Sequence, residues 1–332
     1  MKKKSVVITG ATGVIGMALV EKCIEEGIKV YVLVNPSSSR IGQLDGLVIR
    51  ENLFGDACYL DSPEDERLTI IKCGLDDFAD ATPESLGIPA GQADCFYHLA
   101  WGGTYGDARN DVKFQEKNVQ YTLDAVRLAN RLGCSCFIGV GSQAEYGRVE
   151  SVKLSSDTPT NPENEYGKAK LKAGISSRSL CKELGIRHIW TRVLSIYGPF
   201  DGPNTLITST IGKIINGERP ALTAGEQVWD YLYSKDAAKA LLMLGESGLD
   251  GQVYPIGSGK TRLLKEYLEV LRDNINPSVE LGLGDIPYFD KQVMYLCADI
   301  SNLEKDTGFT PSYEFEEGIR ETISWFKSTQ VR

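Results

Sequence analysis

Histidine is nearly absent from this sequence: His98 and His188 are the only 2. That is too few for a histidine-based metal centre, and no second Cys/His pair completes a zinc site around Cys134 and Cys136. No metal is expected. Positive charge is also short. Lys and Arg total 36 against 45 Asp and Glu, a formal net charge of −9, with no basic stripe. This argues against nucleic acid or an anionic membrane as partner, so any anionic ligand must be held by local features. Long apolar runs are missing, and none approaches transmembrane length. The opening "MKKKSVVITGATGVIG" starts basic, but glycines break its short apolar run and no cleavage signature follows. A soluble cytoplasmic protein is the expectation. Internal repeats and low-complexity tracts are absent too.

What is present is enough for a large core: 332 residues, 42% of them hydrophobic. Most of the 8 Cys sit inside apolar runs, as in "DCFYHLA" and "CSCFIGV", and read as buried free thiols of a reducing compartment. Cys134 and Cys136 are expected to alternate along one strand. Strand patterns at "SVVITG", "KVYVLV", "LTIIKC", "DCFYHLA", "CFIGVG" and "RHIWTRVL" alternate with helix patterns at 14–26, 108–132 and 165–184. Such alternation predicts an α/β fold, a doubly wound parallel sheet of Rossmann type with helices on both faces. The stretch from Asn35 to Arg67 is long for a connection, and a small hairpin is expected within it. After about residue 196 the pattern loosens. The expected division is a dinucleotide-binding domain over 1–195 and a mainly substrate-binding lobe over 196–332, interleaved with the first.

"VVITGATGVIG" sets Gly10, Gly13 and Gly16 between the first strand and the first helix. Two glycines permit a tight turn and close backbone approach, and the third lets helix and strand pack. The helix N-terminus then offers free N–H groups to a pyrophosphate. Further on, "NEYGKAKLKAG" spaces Tyr166 and Lys170 four apart on one helix. A free phenol has a pKa near ~10, and a cation one helical turn away favours phenolate. Tyr166 is thus expected to exchange a proton with a substrate oxygen. Ser142, at the end of "CFIGVG", is expected to donate to that same oxygen.

These motifs resemble the short-chain dehydrogenase/reductase superfamily in its extended branch. G-x-x-G-x-x-G opens the chain, and "YHLAW" resembles the family's "HLAA". Asn118 in "EKNVQYT" resembles the Asn of "NVxGT", "GSQAEYG" its Ser-bearing motif, and Tyr166–Lys170 its Y-x-x-x-K. "RVLSIYGP", "WDYLYSKDAAKAL", "VYPIGSG" and "GFTPSYEFEEGI" resemble later motifs in the same order, so the likeness spans the chain. It implies an enzyme acting on a nucleotide-activated sugar, with Ser142, Tyr166 and Lys170 catalytic. It implies cofactor contacts from Gly10, Thr12, Gly13, Val14, Ile15 and Gly16, and from Asn35, Ser37, Ser38 and Arg40 after the second strand. Leu75, Leu99, Ala100, Trp101, Asn118, Tyr166 and Lys170 complete that cofactor set. Substrate contacts are implied for Gly102, Ser142, Gln143, Tyr166, Ser195 and Trp229.

Departures from the family pattern narrow the chemistry. Nucleotide-sugar 4,6-dehydratases carry an Asp-Glu pair after the catalytic hydroxyl residue, and here Gln143 and Ala144 stand there. An amide and a methyl cannot shuttle protons, so dehydration by that mechanism is not expected. NAD-preferring relatives end strand two in an acid, replaced here by Asn35, with Arg40 following. That favours NADP(H), with NAD(H) the alternative. Trp101 replaces an Ala, Ser195 an Asn and Trp229 an Arg. The reading is an NADP(H)-dependent reductase of a nucleotide-linked 4-keto sugar. Its rivals are a 4-epimerase with tightly bound NAD and a non-catalytic NAD(P)-binding redox sensor. A homodimer through helices 108–132 and 165–184 is expected.

Overall fold

The computed structural model describes residues 5–45, 67–150 and 152–330. The hairpin expected between Asn35 and Arg67 falls largely on residues 46–66, outside those described, as does Cys58.

In chain order the first half runs β1 (Ser5–Thr9), α1 (Val14–Glu25), β2 (Lys29–Val34), α2 (Gly42–Asp45), β3 (Leu68–Lys72), α3 (Pro83–Leu86), β4 (Cys95–His98), α4 (Val112–Arg131), β5 (Cys136–Ser142), α5 (Glu165–Leu184) and β6 (Arg187–Val193). The remainder is β7 (Ser195–Tyr197), α6 (Leu206–Ile215), β8 (Ala221–Leu222), β9 (Val228–Trp229), β10 (Tyr231–Tyr233), α7 (Ser234–Ser247), β11 (Gln252–Ile256), β12 (Arg262–Leu263), α8 (Leu264–Asp273), β13 (Gly282–Leu283), α9 (Ser301–Thr307) and α10 (Phe315–Gln330).

A seven-stranded sheet, ordered β11-β6-β5-β4-β1-β2-β3, is parallel throughout. β1 and β4 are buried along their whole length, as a sheet covered on both faces requires. The two-residue alternation of side chains decides the cores. Val6 and Ile8 enter one core with α1 and α7, while Val7 enters the other with α4. The chain leaves β1 toward β2 and β3, then returns to β4 and proceeds the other way. The switch point between β1 and β4 opens a crevice at the carboxyl ends of the strands. Residues 196–332 contribute α7 and β11 to these layers. A separate core gathers Ile207, Ile211, Leu268, Leu271 and Ile319 from α6, α8 and α10.

Two expected boundaries move. α4 begins at Val112 rather than 108, because the Asp111 carboxylate accepts from the Phe114 N–H at 3.0 Å and caps it there. Residues 107–109 form only a 3-10 turn. β5 begins at Cys136, so Cys134 precedes the strand instead of alternating along it. Both thiols are buried, like every described cysteine. α5 has the expected bounds, set by the Asn164 cap at one end and Gly185 at φ +71° at the other.

Candidate active site

The β1–α1 turn is built so that backbone packs on backbone. Gly10 lies at φ +72°, and a Cβ there would stand 2.7 Å from the Ala100 nitrogen and the Leu99 carbonyl carbon. A Cβ on Gly16 would overlap the Gly10 carbonyl oxygen. Gly13 differs, for its Cβ would meet nothing nearer than 3.6 Å. Gly13 is the N-cap of α1 and no side chain caps that end. The turn therefore leaves the N–H groups at the start of α1, around Val14 and Ile15, open beside Thr12. This is a fit for a dinucleotide pyrophosphate, held by backbone amides and the helix dipole. Thr9 bridges to the next strand: its hydroxyl lies 3.0 Å from His98 Nδ1 and accepts from the Ala100 N–H at 3.2 Å. Burial pushes His98 down to about 3, so it is a neutral structural group.

After β2 the chain folds back on itself. Asn35 Oδ1 accepts from the Ser37 N–H at 3.0 Å and from its hydroxyl at 2.7 Å. The Ser38 hydroxyl accepts from the Arg40 N–H at 3.3 Å. Arg40 is half-buried and makes no ion pair among the described residues. Leu75 sits in a 3-10 turn just after β3, partly buried against the core.

The exit from β4 is clamped from α4. Asn118, 2% exposed, accepts from the Gly102 N–H at 3.0 Å and donates to its carbonyl at 3.1 Å. Gln115 donates to the carbonyls of Gly103 and Ala108, both at 2.8 Å, and accepts from Trp101 Nε1 at 3.0 Å. Leu99 N–H continues the β1 pairing through the Thr9 carbonyl at 3.2 Å.

Tyr166, 8% exposed, lies close enough to Ser142 for that side chain to favour its ionised form. The electrostatics differ from the expectation for Tyr166 and Lys170. Burial holds the Tyr166 phenol above its ordinary range; Ser142 and the charge of Arg109 offset this only in part, and Glu145 adds to it. The Lys170 ammonium donates to the Val140 carbonyl at 2.6 Å and lies over the Trp101 ring. It is 5.9 Å from the Tyr166 ring centre, and burial brings its own pKa down to about 7. Helical spacing places the two residues side by side but does not say which way a four-carbon stem turns. Lys168 and Lys172 reach outward to Glu165 and Glu116.

Beneath Ser142, Gln143 and Ala144 lie in a single 3-10 turn with Glu145. Glu145 is fully buried and accepts from the Ser142 N–H at 2.8 Å, Trp190 Nε1 at 3.1 Å and Arg192 Nε at 2.9 Å. Trp229 Nε1 donates to the Ser195 hydroxyl at 2.8 Å. Among the described residues no group of three or more His, Cys, Asp or Glu is disposed to hold a metal ion. No helix among them is long and apolar enough to cross a membrane.

Sequence reasoning missed Arg109 and Glu145. Nothing in "GDARND" marks Arg109, since a loop has no periodicity to read. Glu145 carried a faint signal, an acid inside a stretch otherwise reading as buried.

Comparison with known proteins bears on the same residues. Residues 6–257 match the model of the NAD dependent epimerase/dehydratase family. The dTDP-glucose 4,6-dehydratase of Streptomyces griseus is 25% identical over 324 residues, 96% of this chain and 93% of that protein. The solved UDP-N-acetylglucosamine 4-epimerase from Methanobrevibacter ruminantium, in complex with UDP-N-acetylmuramic acid, superposes with a TM-score of 0.81. It is 27% identical and the match covers 99% of this chain and 100% of that one. A UDP-glucuronic acid 4-epimerase from Bacillus cereus, solved with NAD, shares the fold at a TM-score of 0.80, with 18% identity over 98% of this chain and 99% of that one. With the family match spanning the sheet, the glycine turn and the Ser142–Tyr166 pair, this chain is an enzyme of the NAD-dependent epimerase/dehydratase family, in the extended branch of the short-chain dehydrogenases/reductases.

Proposed function

We propose that the protein carries out oxidation–reduction at a carbon of a nucleotide-activated sugar, in the net direction of reducing a 4-keto sugar with NADP(H). The observation that carries this reading is Ser142 at the end of β5 facing Tyr166 at the start of α5, in a chain with a glycine turn after β1 and no acidic pair for dehydration. A bound nicotinamide dinucleotide supplies the hydride. The protein supplies the proton: Tyr166 gives its hydroxyl proton to the sugar oxygen and Ser142 donates to that oxygen to orient it. Gln143 has an amide and Ala144 a buried methyl. Glu145 cannot stand in for the missing acids, because its carboxylate is fully buried and turned to Arg192 and Trp190.

The cofactor preference rests on Asn35 and on Arg40, a guanidinium free of ion pairs among the described residues. We also read residues 196–332 as the main source of substrate contacts, including Trp229, with Ser195 just before them. α4 and α5 pack on each other and expose Val112 and Ile175, which supports a homodimer through this pair of helices. Cytoplasmic location belongs to the same reading.

A second reading, 4-epimerisation with retained NAD, is supported by the likeness to the Methanobrevibacter 4-epimerase. One experiment separates them. The purified protein is mixed with NADPH and a nucleotide-linked 4-keto-6-deoxyhexose, and absorbance is compared with alcohol formed. The expected result is equal loss of NADPH and gain of alcohol. Redox-neutral exchange of two epimers by protein purified with NAD establishes the second reading instead. In either assay Tyr166→Phe lowers turnover at least ~100-fold with cofactor affinity little changed.

A further inference from the structure

We propose that Gln115, buried on α4, is a positioning residue for the reaction. Its single side-chain amide clamps Trp101 and the loop 103–109 against Tyr166, so that the wall beside the phenol is in place before a sugar arrives. The inference rests on Tyr166 being the proton-exchanging group of the proposed function.

Gln115 lies in the first turn of α4 and is 1% exposed. A buried amide has two donor hydrogens and an acceptor oxygen to satisfy. Here all of them go to the connection between β4 and α4. Nε2 donates to the carbonyls of Gly103 and Ala108, both at 2.8 Å, and Oε1 accepts from Trp101 Nε1 at 3.0 Å. One side chain thereby closes the segment between the two carbonyls into a loop, whose tip at residues 104–107 is exposed. The close approach depends on a glycine. Gly103 lies at φ +64°, and a Cβ there would stand 2.9 Å from Gln115 Nε2 and 3.0 Å from the Ala108 carbonyl oxygen.

What the amide holds faces Tyr166. The Trp101 ring meets the Tyr166 ring edge-on at 6.2 Å. Arg109, next to the clamped Ala108, sets its guanidinium carbon 4.3 Å from the Tyr166 ring centre and donates to the Thr104 carbonyl within the loop. Asn110 Oδ1 accepts from the Glu165 N–H at 3.4 Å and ties the end of the loop to the start of α5. The neighbouring supports do not depend on Gln115. Gly102 has its own bonds to Asn118, and Asp111 caps α4. Loss of the Gln115 amide therefore releases the loop and the indole without dismantling the helix. A wall already held in shape loses little freedom when a ligand meets it, whereas a released loop must be ordered at each binding event.

Two variants test this. Gln115→Met keeps the length of the side chain and loses every hydrogen bond. Gly103→Ala drives a methyl into the same clamp from the loop side and leaves α4 untouched. Hydrogen exchange followed by mass spectrometry, without substrate, reads the loop, and urea denaturation reads the whole fold. Amides of residues 102–110 are expected to exchange at least about tenfold faster in both variants, while those of β5 and the body of α5 keep wild-type rates. In the assay with the sugar that is turned over, both variants should raise KM for the sugar at least about tenfold and leave kcat within about threefold, because the ordering cost falls on ground state and transition state alike. Three results overturn the proposal: wild-type exchange at residues 102–110 in both variants, fast exchange spread over the whole fold with a matching fall in the urea midpoint, or a released loop with unchanged KM. If Gln115→Met does not fold, Gly103→Ala decides on the same two readouts. Failure of every nucleotide sugar to turn over, with the exchange result as expected, removes the proposed reaction and leaves the clamp on the loop standing.

Discussion

The ammonium of Lys170 lies 3.8 Å from the centre of the Trp101 indole ring, with its hydrogen bond going to the Val140 carbonyl oxygen. A residue of the Y-x-x-x-K pair is thereby held beneath an indole and removed from water. Removing it from water has a measurable cost. Burial lowers the folded-state pKa of Lys170 to about 7 from an unfolded value of 10.5. Between those values the unfolded chain binds the extra proton, so this group's contribution to stability rises with pH through the window and is flat below it. Lys170→Met is expected to be more stable than wild type near pH 7. Its advantage shrinks by about 1 kcal/mol per pH unit between pH 7 and 9. Urea denaturation of both proteins at several pH values checks this, and a pH-independent difference contradicts it.

The three glycines of the first turn separate into two kinds. Gly16→Ala places a methyl on the Gly10 carbonyl oxygen, backbone against backbone. A loss of roughly 1–3 kcal/mol is expected, in the range of overpacking. Gly13→Ala meets nothing nearer than 3.6 Å in the protein. It should melt like wild type yet bind cofactor more weakly, since the methyl occupies the approach of the pyrophosphate. Thermal melts and cofactor titration test the pair; equal cofactor affinity in Gly13→Ala and wild type rejects the assigned cradle.

Glu145 and Arg192 form a buried ion pair, with side chains 0% and 8% exposed. Glu145→Ala leaves Arg192 uncompensated and strips the acceptor from Trp190 and the Ser142 N–H. About 3–5 kcal/mol should be lost, and less in Glu145→Gln, which keeps an acceptor. A denaturation midpoint close to wild type for Glu145→Ala refutes the pair's structural role.

Arg40 carries the proposed cofactor choice. A hydrogen bond to a charged group contributes roughly 1.5–3 kcal/mol, about one to two powers of ten in affinity. NADPH is expected to bind more tightly than NADH by that factor, and Arg40→Ala to erase most of it. Calorimetric titration with both cofactors decides; equal affinities in the wild type remove the preference.

Local signals carried far in this chain, and distant ones did not. The β1–α1 turn is legible because glycine spacing states a backbone requirement, and α5 because Asn164 and Gly185 mark both ends. Asp111 offered the same kind of mark for α4, and reading it would have moved that helix to Val112. Membership of one site was harder. Arg109 reaches Tyr166 across 57 positions of sequence, and Glu145 meets Arg192 across 47. Neither pairing leaves a periodic trace. The spacing of Tyr166 and Lys170 predicted neighbourhood correctly but not electrostatics, because burial and the direction of the lysine stem come from β5 and Trp101.

Trp190 fills a hollow that three glycines on two elements keep open. A Cβ on Gly139 or Gly141 of β5, or on Gly174 of α5, would collide with the indole. The indole in turn carries the hydrogen bond to Glu145. These positions therefore cannot drift one at a time. A side chain at Gly139 or Gly174 is admissible only where residue 190 is already small, at Gly141 the Glu145 carboxylate and the Thr191 carbonyl stand in the way as well, and a small residue 190 leaves Glu145 short of a donor. Homologous chains should consequently divide into two groups that both keep Gly141, one with the tryptophan and the other two glycines, the other having exchanged those three positions together.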